Sequence, residues 1–113
     1  MFRTLIPFAY TVLYIQMRFG WDELKNRSNR AKHGIGFETA TRVFLDPFNI
    51  TRQDQVVSGE ERWQTIGRVN GLLLILVAYT VIDQERGEDV IRIISARRVT
   101  RQERIEYEEA SES

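Results

Sequence analysis

The sequence contains no cysteine, a single histidine and only two prolines in its 113 residues. The lack of cysteine excludes disulfides, thiolate nucleophiles and thiolate metal sites, and it is typical of a reducing compartment. A zinc site usually needs several His or Cys ligands, so a single histidine argues against one. We therefore expect a cytoplasmic protein without a metal or a cofactor. At this length the chain forms one small domain with a modest core.

Long hydrophobic runs are also missing. The most apolar stretch, Leu5 to Ile15, is interrupted by Pro7 and Thr11 and is shorter than the roughly 18 residues of a membrane-spanning helix. It also lacks the cleavage pattern of a signal peptide. Two interpretations stay open for residues 1–16: an atypical extension from an early start codon, with the domain beginning at Met17, or an added strand or interaction segment. We expect no membrane association.

Neither sign of charge is in excess, because 16 basic residues balance 16 acidic ones. The charges are nevertheless segregated along the chain. Residues 17–45 carry a net charge of +3 and residues 90–104 carry +4, whereas residues 46–61 carry −3 and residues 105–113 carry −4. Such blocks form either solvated faces with local ion pairs, or a basic surface for phosphate groups bounded by acidic residues.

Apolar periodicity and turn residues divide the chain into helices and strands. They predict helices over residues 23–32, 37–45 and 101–109, and strands over residues 18–21, 49–57, 62–69, 72–80 and 90–96. We expect an α+β domain with two N-terminal helices, an antiparallel sheet of three or four strands and a C-terminal helix. This domain covers residues 17–110, and residues 111–113 form a tail.

Capping and turn residues support these boundaries. Asp22 can cap the first helix, and Gly34 follows it where a left-handed residue is favoured. Asn70-Gly71 between two strands is a strong hairpin signal. Thr100 and Glu103 form a capping box at the start of the last helix.

The motifs of several familiar mechanisms are absent. The chain has no glycine-rich phosphate loop, no Gly-x-Ser-x-Gly nucleophile elbow and no evident set of carboxylates for two metal ions. Its one histidine, His33, follows Lys32 at the predicted end of the first helix. Taken alone, His33 is either a general base or a residue that merely ends a helix.

The sequence does have a set of regularly placed arginines. Arg62 and Arg68 are six residues apart, so both side chains lie on the same face of one strand. Arg101 and Arg104 share a face of the last helix, and Tyr107 follows them. The others lie on or at the end of the last strand: Arg92, Arg97 and Arg98. Arginine suits bidentate phosphate contacts, so this set is a candidate nucleic-acid surface; each member alone could equally pair with a glutamate or pack on the sheet.

Nine short motifs follow one another over residues 17–109: Phe19-Gly-Trp-Asp22, Asn29-Arg-Ala-Lys-His-Gly34, Phe37-Glu-Thr-Ala40, Val43-Phe-Leu-Asp-Pro47, Glu60-Glu-Arg-Trp63, Ile66-Gly67, Ile91-Arg-Ile-Ile-Ser-Ala-Arg97, Thr100-Arg-Gln-Glu-Arg104 and Tyr107-Glu108. Their order and spacing resemble the BrnT toxin family. The resemblance begins at Met17, which favours that residue as the start of the domain.

The resemblance implies a RelE-like type II toxin, a metal-independent endoribonuclease that cleaves RNA and inhibits growth. It also implies a BrnA-like antitoxin with a ribbon-helix-helix domain, and a heterotetramer that binds operator DNA only through the antitoxin. The residues that match are the catalytic candidates Lys32, His33, Glu61, Arg62, Arg68 and Arg97, with Arg101 and Tyr107 as RNA-binding candidates. In such enzymes a 2′-hydroxyl attacks the adjacent phosphate. Glu61 or His33 is the candidate base, Lys32 and the arginines would stabilise phosphate charge, and His33 is alternatively the acid.

One position departs from the family pattern. Many relatives carry an arginine two residues after the Tyr-Thr of the central strand, where this chain has Ile82. Arg86, in a charged loop over residues 83–89, is a candidate replacement. The departure leaves an alternative function open, that of a catalytically weak or inactive homologue that only binds its antitoxin.

Overall fold

The computed structural model of the protein describes residues 2–4, 17–82 and 89–112. Most of the segment 1–16, almost all of the charged loop that the sequence predicts after Ile82, and Arg86 within it lie outside the described residues. In chain order the elements are β1 (Phe2–Thr4), β2 (Arg18–Gly20), α1 (Glu23–His33), α2 (Phe37–Ala40), a 3₁₀ helix (Thr41–Leu45), β3 (Ile50–Val57), β4 (Glu60–Val69), β5 (Leu73–Ile82), β6 (Val90–Arg98) and α3 (Arg101–Glu112).

The ends of α1 follow from the residues that flank it. The Asp22 carboxylate accepts hydrogen bonds from the backbone N–H groups of Leu24 at 2.8 Å and Lys25 at 3.4 Å. Gly34 takes a left-handed conformation with φ of 74°, and its N–H donates to the carbonyl of Arg30 at 2.8 Å. Both predicted caps are confirmed.

The second predicted helix is only partly α-helical. Residues 37–40 form one α-helical turn, and the chain then tightens into the 3₁₀ helix of residues 41–45. This segment packs closely on β4, because a Cβ atom on Gly67 would lie 2.8 Å from the carbonyl oxygen of Val43. Only a glycine admits this approach of the two backbones.

The sheet is larger than the sequence predicts. Among the described residues it has six strands in the order β1-β2-β6-β5-β4-β3, five of them from Arg18 onward. All neighbours are antiparallel except β2 and β6, which pair in parallel. The expected purely antiparallel sheet of three or four strands is therefore wrong, and the RelE-like layout holds only as an α+β arrangement. β2 is three residues long and pairs with a strand about 70 residues later, which no local signal predicts.

Both faces of the sheet are covered, but by different elements. The larger core lies between the sheet and α1, α2 and the 3₁₀ helix, and it contains the fully buried Phe19, Phe37 and Val77. A smaller core lies under α3, where Ile66 and Tyr107 are buried. We call these the α1 face and the α3 face. The prediction that β5 is apolar on both faces is confirmed. Among the described residues no helix is long and apolar enough to cross a membrane.

Candidate functional site

Five arginines on three strands have their side chains on the α3 face. Side chains alternate along a strand, so Arg62 and Arg68 share the face of the buried Ile66. The strand register adds the others, because the cross-strand partners Gln64, Thr80 and Leu76 lie on the same face. The full set is Arg52, Arg62, Arg68, Arg92 and Arg97. All five side chains are half-buried. The same-face prediction for Arg62 and Arg68 is confirmed.

Three of these arginines are held by carboxylates. Arg97 makes two hydrogen bonds to Glu103, at 2.8 and 2.9 Å. Arg52 pairs with Glu106 at 2.8 Å and lies 3.6 Å from Glu103, and Arg92 pairs with Glu60 at 2.9 Å. For Arg92 and Arg97 the pairing with a glutamate that the sequence left open as an alternative is therefore present. Glu60 pairs with Arg92 and not with Arg62 or Arg68.

Glu103 combines this ion pair with the cap of α3. Its Oε1 accepts the backbone N–H of Thr100 at 2.8 Å, and the Thr100 hydroxyl accepts the N–H of Glu103 at 3.2 Å, which confirms the capping box. The hydrogen bond from Arg97, together with the Thr100 N–H, lowers the pKa of Glu103 from 4.5 to about 2, against the opposing effect of burial. Glu103 is thus a fixed anion that joins α3 to β6.

Stability is therefore expected to fall in acid through Glu103. Because the pKa of Glu103 is lower in the folded protein than its ordinary value of 4.5, the ionised carboxylate stabilises the fold at pH values above 4.5. This contribution is lost as the pH falls towards 2. Glu103→Gln should cost about 2 kcal/mol of unfolding free energy at neutral pH. This is less than the pKa shift alone would give, because the partly exposed ion pair is screened by solvent. Urea unfolding measured across this range should show the wild type and the variant converging in acid. A constant gap would contradict this account. Glu108→Gln, on the exposed side of α3, is the matched control.

Arg62 contains a buried donor that lacks a partner. Its Nε and the hydroxyl of Thr80 are buried and have no hydrogen-bond partner among the residues that the structure describes. Trp63 pairs with Tyr79, so the antiparallel register sets Arg62 opposite Thr80, and Thr80 is in turn opposite Arg92. A buried unsatisfied polar group costs about 1–3 kcal/mol. Among the described residues neither Arg62 nor Arg68 forms an ion pair, so these are the two arginines of this face that no carboxylate already holds.

Arg68 lies against an aromatic ring. Its guanidinium carbon is 5.5 Å from the centre of the Tyr107 ring, and the Tyr107 hydroxyl donates to Asp46 at 2.6 Å. Burial raises the pKa of Tyr107, and the hydrogen bond to Asp46 raises it further, so the hydroxyl remains a donor. Only 3% of Tyr107 is exposed. Tyr107 therefore lies beneath Arg68 and is itself almost fully buried.

Lys32 and His33 lie in another place. They line a groove of about 290 Å³ between α1 and β6, together with Ser95. Asn29 fixes α1 along this edge, because its side-chain amide donates to the Ala96 carbonyl at 2.8 Å and its oxygen accepts the Ala96 N–H at 3.1 Å. Lys32 and His33 are thus at the outer edge of β6 and not on the α3 face. Ser95 borders both the groove and the α3 face, since its cross-strand partner Ala78 puts it on the α3 face.

Glu61 and Arg101 complete the predicted set. Glu61 is exposed and follows the opposite alternation from Arg62, so it lies on the α1 face, in a groove of about 500 Å³ with Trp63 and Val81. Arg101 is exposed in the first turn of α3. The structure brings Arg62, Arg68 and Arg97 onto one face, with Arg101 on the helix that covers it, and leaves Glu61 apart. Among the described residues no group of three or more His, Cys, Asp or Glu side chains is placed to hold a metal ion.

Sequence reasoning missed several residues of this face: Arg52, Asp46, Thr80 and Glu103 in its role beside Arg97. Arg52 belongs to the face only through its pairing with Gln64, which requires the register of β3 and β4. In the sequence Asp46 is only the residue after the second predicted helix, within the Val43-Phe-Leu-Asp-Pro47 motif. No periodicity indicates that its carboxylate reaches a tyrosine 61 residues further along the chain.

Comparison with known proteins agrees with the motifs. The family model for the ribonuclease toxin BrnT of type II toxin–antitoxin systems matches residues 21–103. The chain belongs to this BrnT family, and the resemblance inferred from its motifs is confirmed. It is also similar to the crystal structure of the ribonuclease toxin BrnT of Brucella abortus, with 29% identity and a TM-score of 0.52 over 72% of this chain and 94% of that one. A search of curated proteins gave no match. As a type II toxin, the chain has an antitoxin partner.

Proposed function

We propose that this toxin is a metal-independent cytoplasmic endoribonuclease that inhibits growth and is neutralised by a BrnA-like ribbon-helix-helix antitoxin. The observation that carries the proposal is the convergence of arginines from three strands on the α3 face. Cationic groups fixed on a sheet bind the RNA backbone and stabilise the charge that develops on phosphorus. RNA is the substrate proposed for this surface, because the chain belongs to a family of ribonuclease toxins.

The proposed reaction is an internal transfer at phosphorus. The 2′-hydroxyl loses its proton to a base and attacks the adjacent phosphorus, the bond to the 5′-oxygen breaks, and that oxygen takes up a proton. The products are a 2′,3′-cyclic phosphate and a 5′-hydroxyl. Lys32, beside His33, would bind the reacting phosphate, and Arg62, Arg68, Arg97 and Arg101 would bind neighbouring phosphates of the strand.

His33 is the base in this proposal, with Lys32 binding phosphate beside it. The two residues lie at the outer edge of β6, where Ser95 borders both their groove and the α3 face. An RNA strand that crosses β6 would therefore reach both. Glu61 is the weaker candidate because it is exposed on the α1 face, on the other side of β4 from Arg62.

The test is cleavage of single-stranded RNA by the purified full-length chain in excess EDTA. Cleavage that persists in EDTA, falls with His33→Ala and Lys32→Ala and survives Glu61→Gln is the expected result. Loss of cleavage with Glu61→Gln but not with His33→Ala would identify Glu61 as the base. RNA that stays intact while the antitoxin still binds would refute the enzymatic proposal.

A second candidate is a non-enzymatic module that binds its antitoxin and regulates its operon through it. One observation favours it: three arginines of the α3 face already have carboxylate partners. In both cases we expect a heterotetramer with two antitoxin chains, and operator DNA contacted only by the antitoxin. Native mass spectrometry of the co-expressed pair tests that stoichiometry.

A further inference from the structure

A second groove opens beside Arg68, at the end of the 3₁₀ helix and the turn that follows β4. It has a volume of about 430 Å³ and is lined by Arg42, Phe48, Asn70 and Arg68, with Asp46 and Tyr107 beneath. This volume falls within the range of about 300–1,000 Å³ that is usual for small-ligand pockets. The groove continues the α3 face, because Arg68 belongs to both.

The groove presents positive charge that no carboxylate balances at its surface. Among the described residues neither Arg42 nor Arg68 forms an ion pair, unlike Arg52, Arg92 and Arg97. Arg42 is exposed, and its hydrogen bond to Asn70 is long at 3.5 Å. The one acid in the lining, Asp46, is buried and accepts three hydrogen bonds, from the Tyr107 hydroxyl and from the N–H groups of Arg68 and Phe48.

Phe48 adds an exposed aromatic ring to these cations. Its exposed fraction is 55%, which is unusual for a phenylalanine. Its backbone is fixed, because its N–H donates to Asp46 at 2.9 Å directly after Pro47. A rigid, solvent-facing ring beside two arginines matches what unpaired RNA requires: a surface on which a base stacks, with cations for the phosphates on either side of it.

We propose that this groove binds one unpaired nucleotide of the RNA, with Phe48 stacking on the base and Arg42 and Arg68 binding the flanking phosphates. The proposal rests on RNA being the substrate. RNA fits better than a protein partner because the exposed rim combines cations with an aromatic ring and because the groove joins the arginine-lined face at Arg68. The groove is thus an extension of the cleavage site that would select which nucleotide lies next to it.

The experiment measures the binding of a single-stranded 2′-O-methyl oligoribonucleotide to the full-length chain. This probe lacks the attacking hydroxyl, so binding is measured without cleavage. Phe48→Ala is expected to weaken binding about five- to tenfold, and Phe48→Tyr to retain it. Arg42→Ala is expected to weaken binding about fivefold and to reduce the dependence of binding on salt by about one counterion. Leu24→Ala, at another exposed apolar position, is the matched control and should bind as the wild type does.

The outcomes separate this proposal from the function on which it rests. Wild-type affinity in both Phe48→Ala and Arg42→Ala would overturn the subsite and leave the ribonuclease proposal intact if RNA is still cut. Unchanged RNA binding with loss of antitoxin binding would assign the groove to the protein partner and likewise overturn the subsite. A wild-type chain that cleaves RNA but does not bind the probe also overturns it. No cleavage and no RNA binding would refute both proposals together.

Discussion

Arg62→Ala is expected to lower RNA cleavage about 10- to 100-fold, because a hydrogen bond to a charged phosphate contributes about 1.5–3 kcal/mol. Arg62 forms no ion pair with the other described residues, so its guanidinium is available to a phosphate of the substrate. The free energy of unfolding should change little, because the substitution removes a buried donor that has no hydrogen bond to lose. Cleavage assays and urea denaturation on the same preparation measure the expected effects on cleavage and on stability.

Arg98→Ala is the matched control for Arg62. Arg98 is also a strand arginine, but it is exposed and pairs with Ile75 of the α1-face core, so it points away from the arginine-lined face. Cleavage by Arg98→Ala should stay within about twofold of the wild type, as surface changes away from a site usually have little effect. Equal losses in the two variants would mean that overall positive charge, and not the position of Arg62, supports RNA cleavage. Arg62→Lys should not restore activity, because lysine has no planar fork of donors.

Asp46→Ala is expected to cost about 3–4 kcal/mol of unfolding free energy, since hydrogen bonds to a charged group contribute about 1.5–3 kcal/mol each and are only partly replaced by water. Asp46 is 9% exposed and joins three parts of the fold. It accepts the Tyr107 hydroxyl of α3 at 2.6 Å, the Arg68 N–H of β4 at 2.7 Å and the Phe48 N–H of the adjoining turn at 2.9 Å. Equilibrium unfolding in urea measures the loss.

Two companion variants make the Asp46 prediction specific. Tyr107→Phe removes one of the three hydrogen bonds and keeps the ring, so it should cost only about 1–2 kcal/mol. Asp54→Ala removes an exposed acid from β3 and should cost less than about 0.5 kcal/mol. If Asp46→Ala were no worse than Tyr107→Phe, the carboxylate would be a partner of the tyrosine alone and not the junction described above.

The parts of the fold that could be predicted from the sequence are those decided by neighbouring residues. Asn70 and Gly71 both have positive φ, 54° and 73°, as the tight hairpin turn requires. The caps at Asp22, Gly34 and Thr100 are likewise local, because each side chain or glycine acts within one helical turn. For the same reason β4 and β5 were found with nearly correct limits.

The parts that could not be predicted depend on distant partners. β2 joins the sheet only by lying parallel to β6, and the 3₁₀ helix tightens where Val43 meets Gly67. In the site, the alternation of side chains along a strand was enough to place Arg62 and Arg68 on the same face. The register between β3 and β4 was needed to place Arg52 on that face as well. The placement of Lys32 and His33 depends on how Asn29 docks on Ala96, so motif order alone could not show that they lie at the edge of β6.

That contact between Asn29 and Ala96 also occupies part of a strand edge. β2 covers the outer edge of β6 only at residues 90–92, and beyond it the amide of Asn29 takes both the N–H and the carbonyl of Ala96, as a neighbouring strand would. An uncovered strand edge is a template for pairing with another chain. Here the Asn29 side chain occupies both backbone groups of Ala96, so this position of β6 is not open to pairing with another strand.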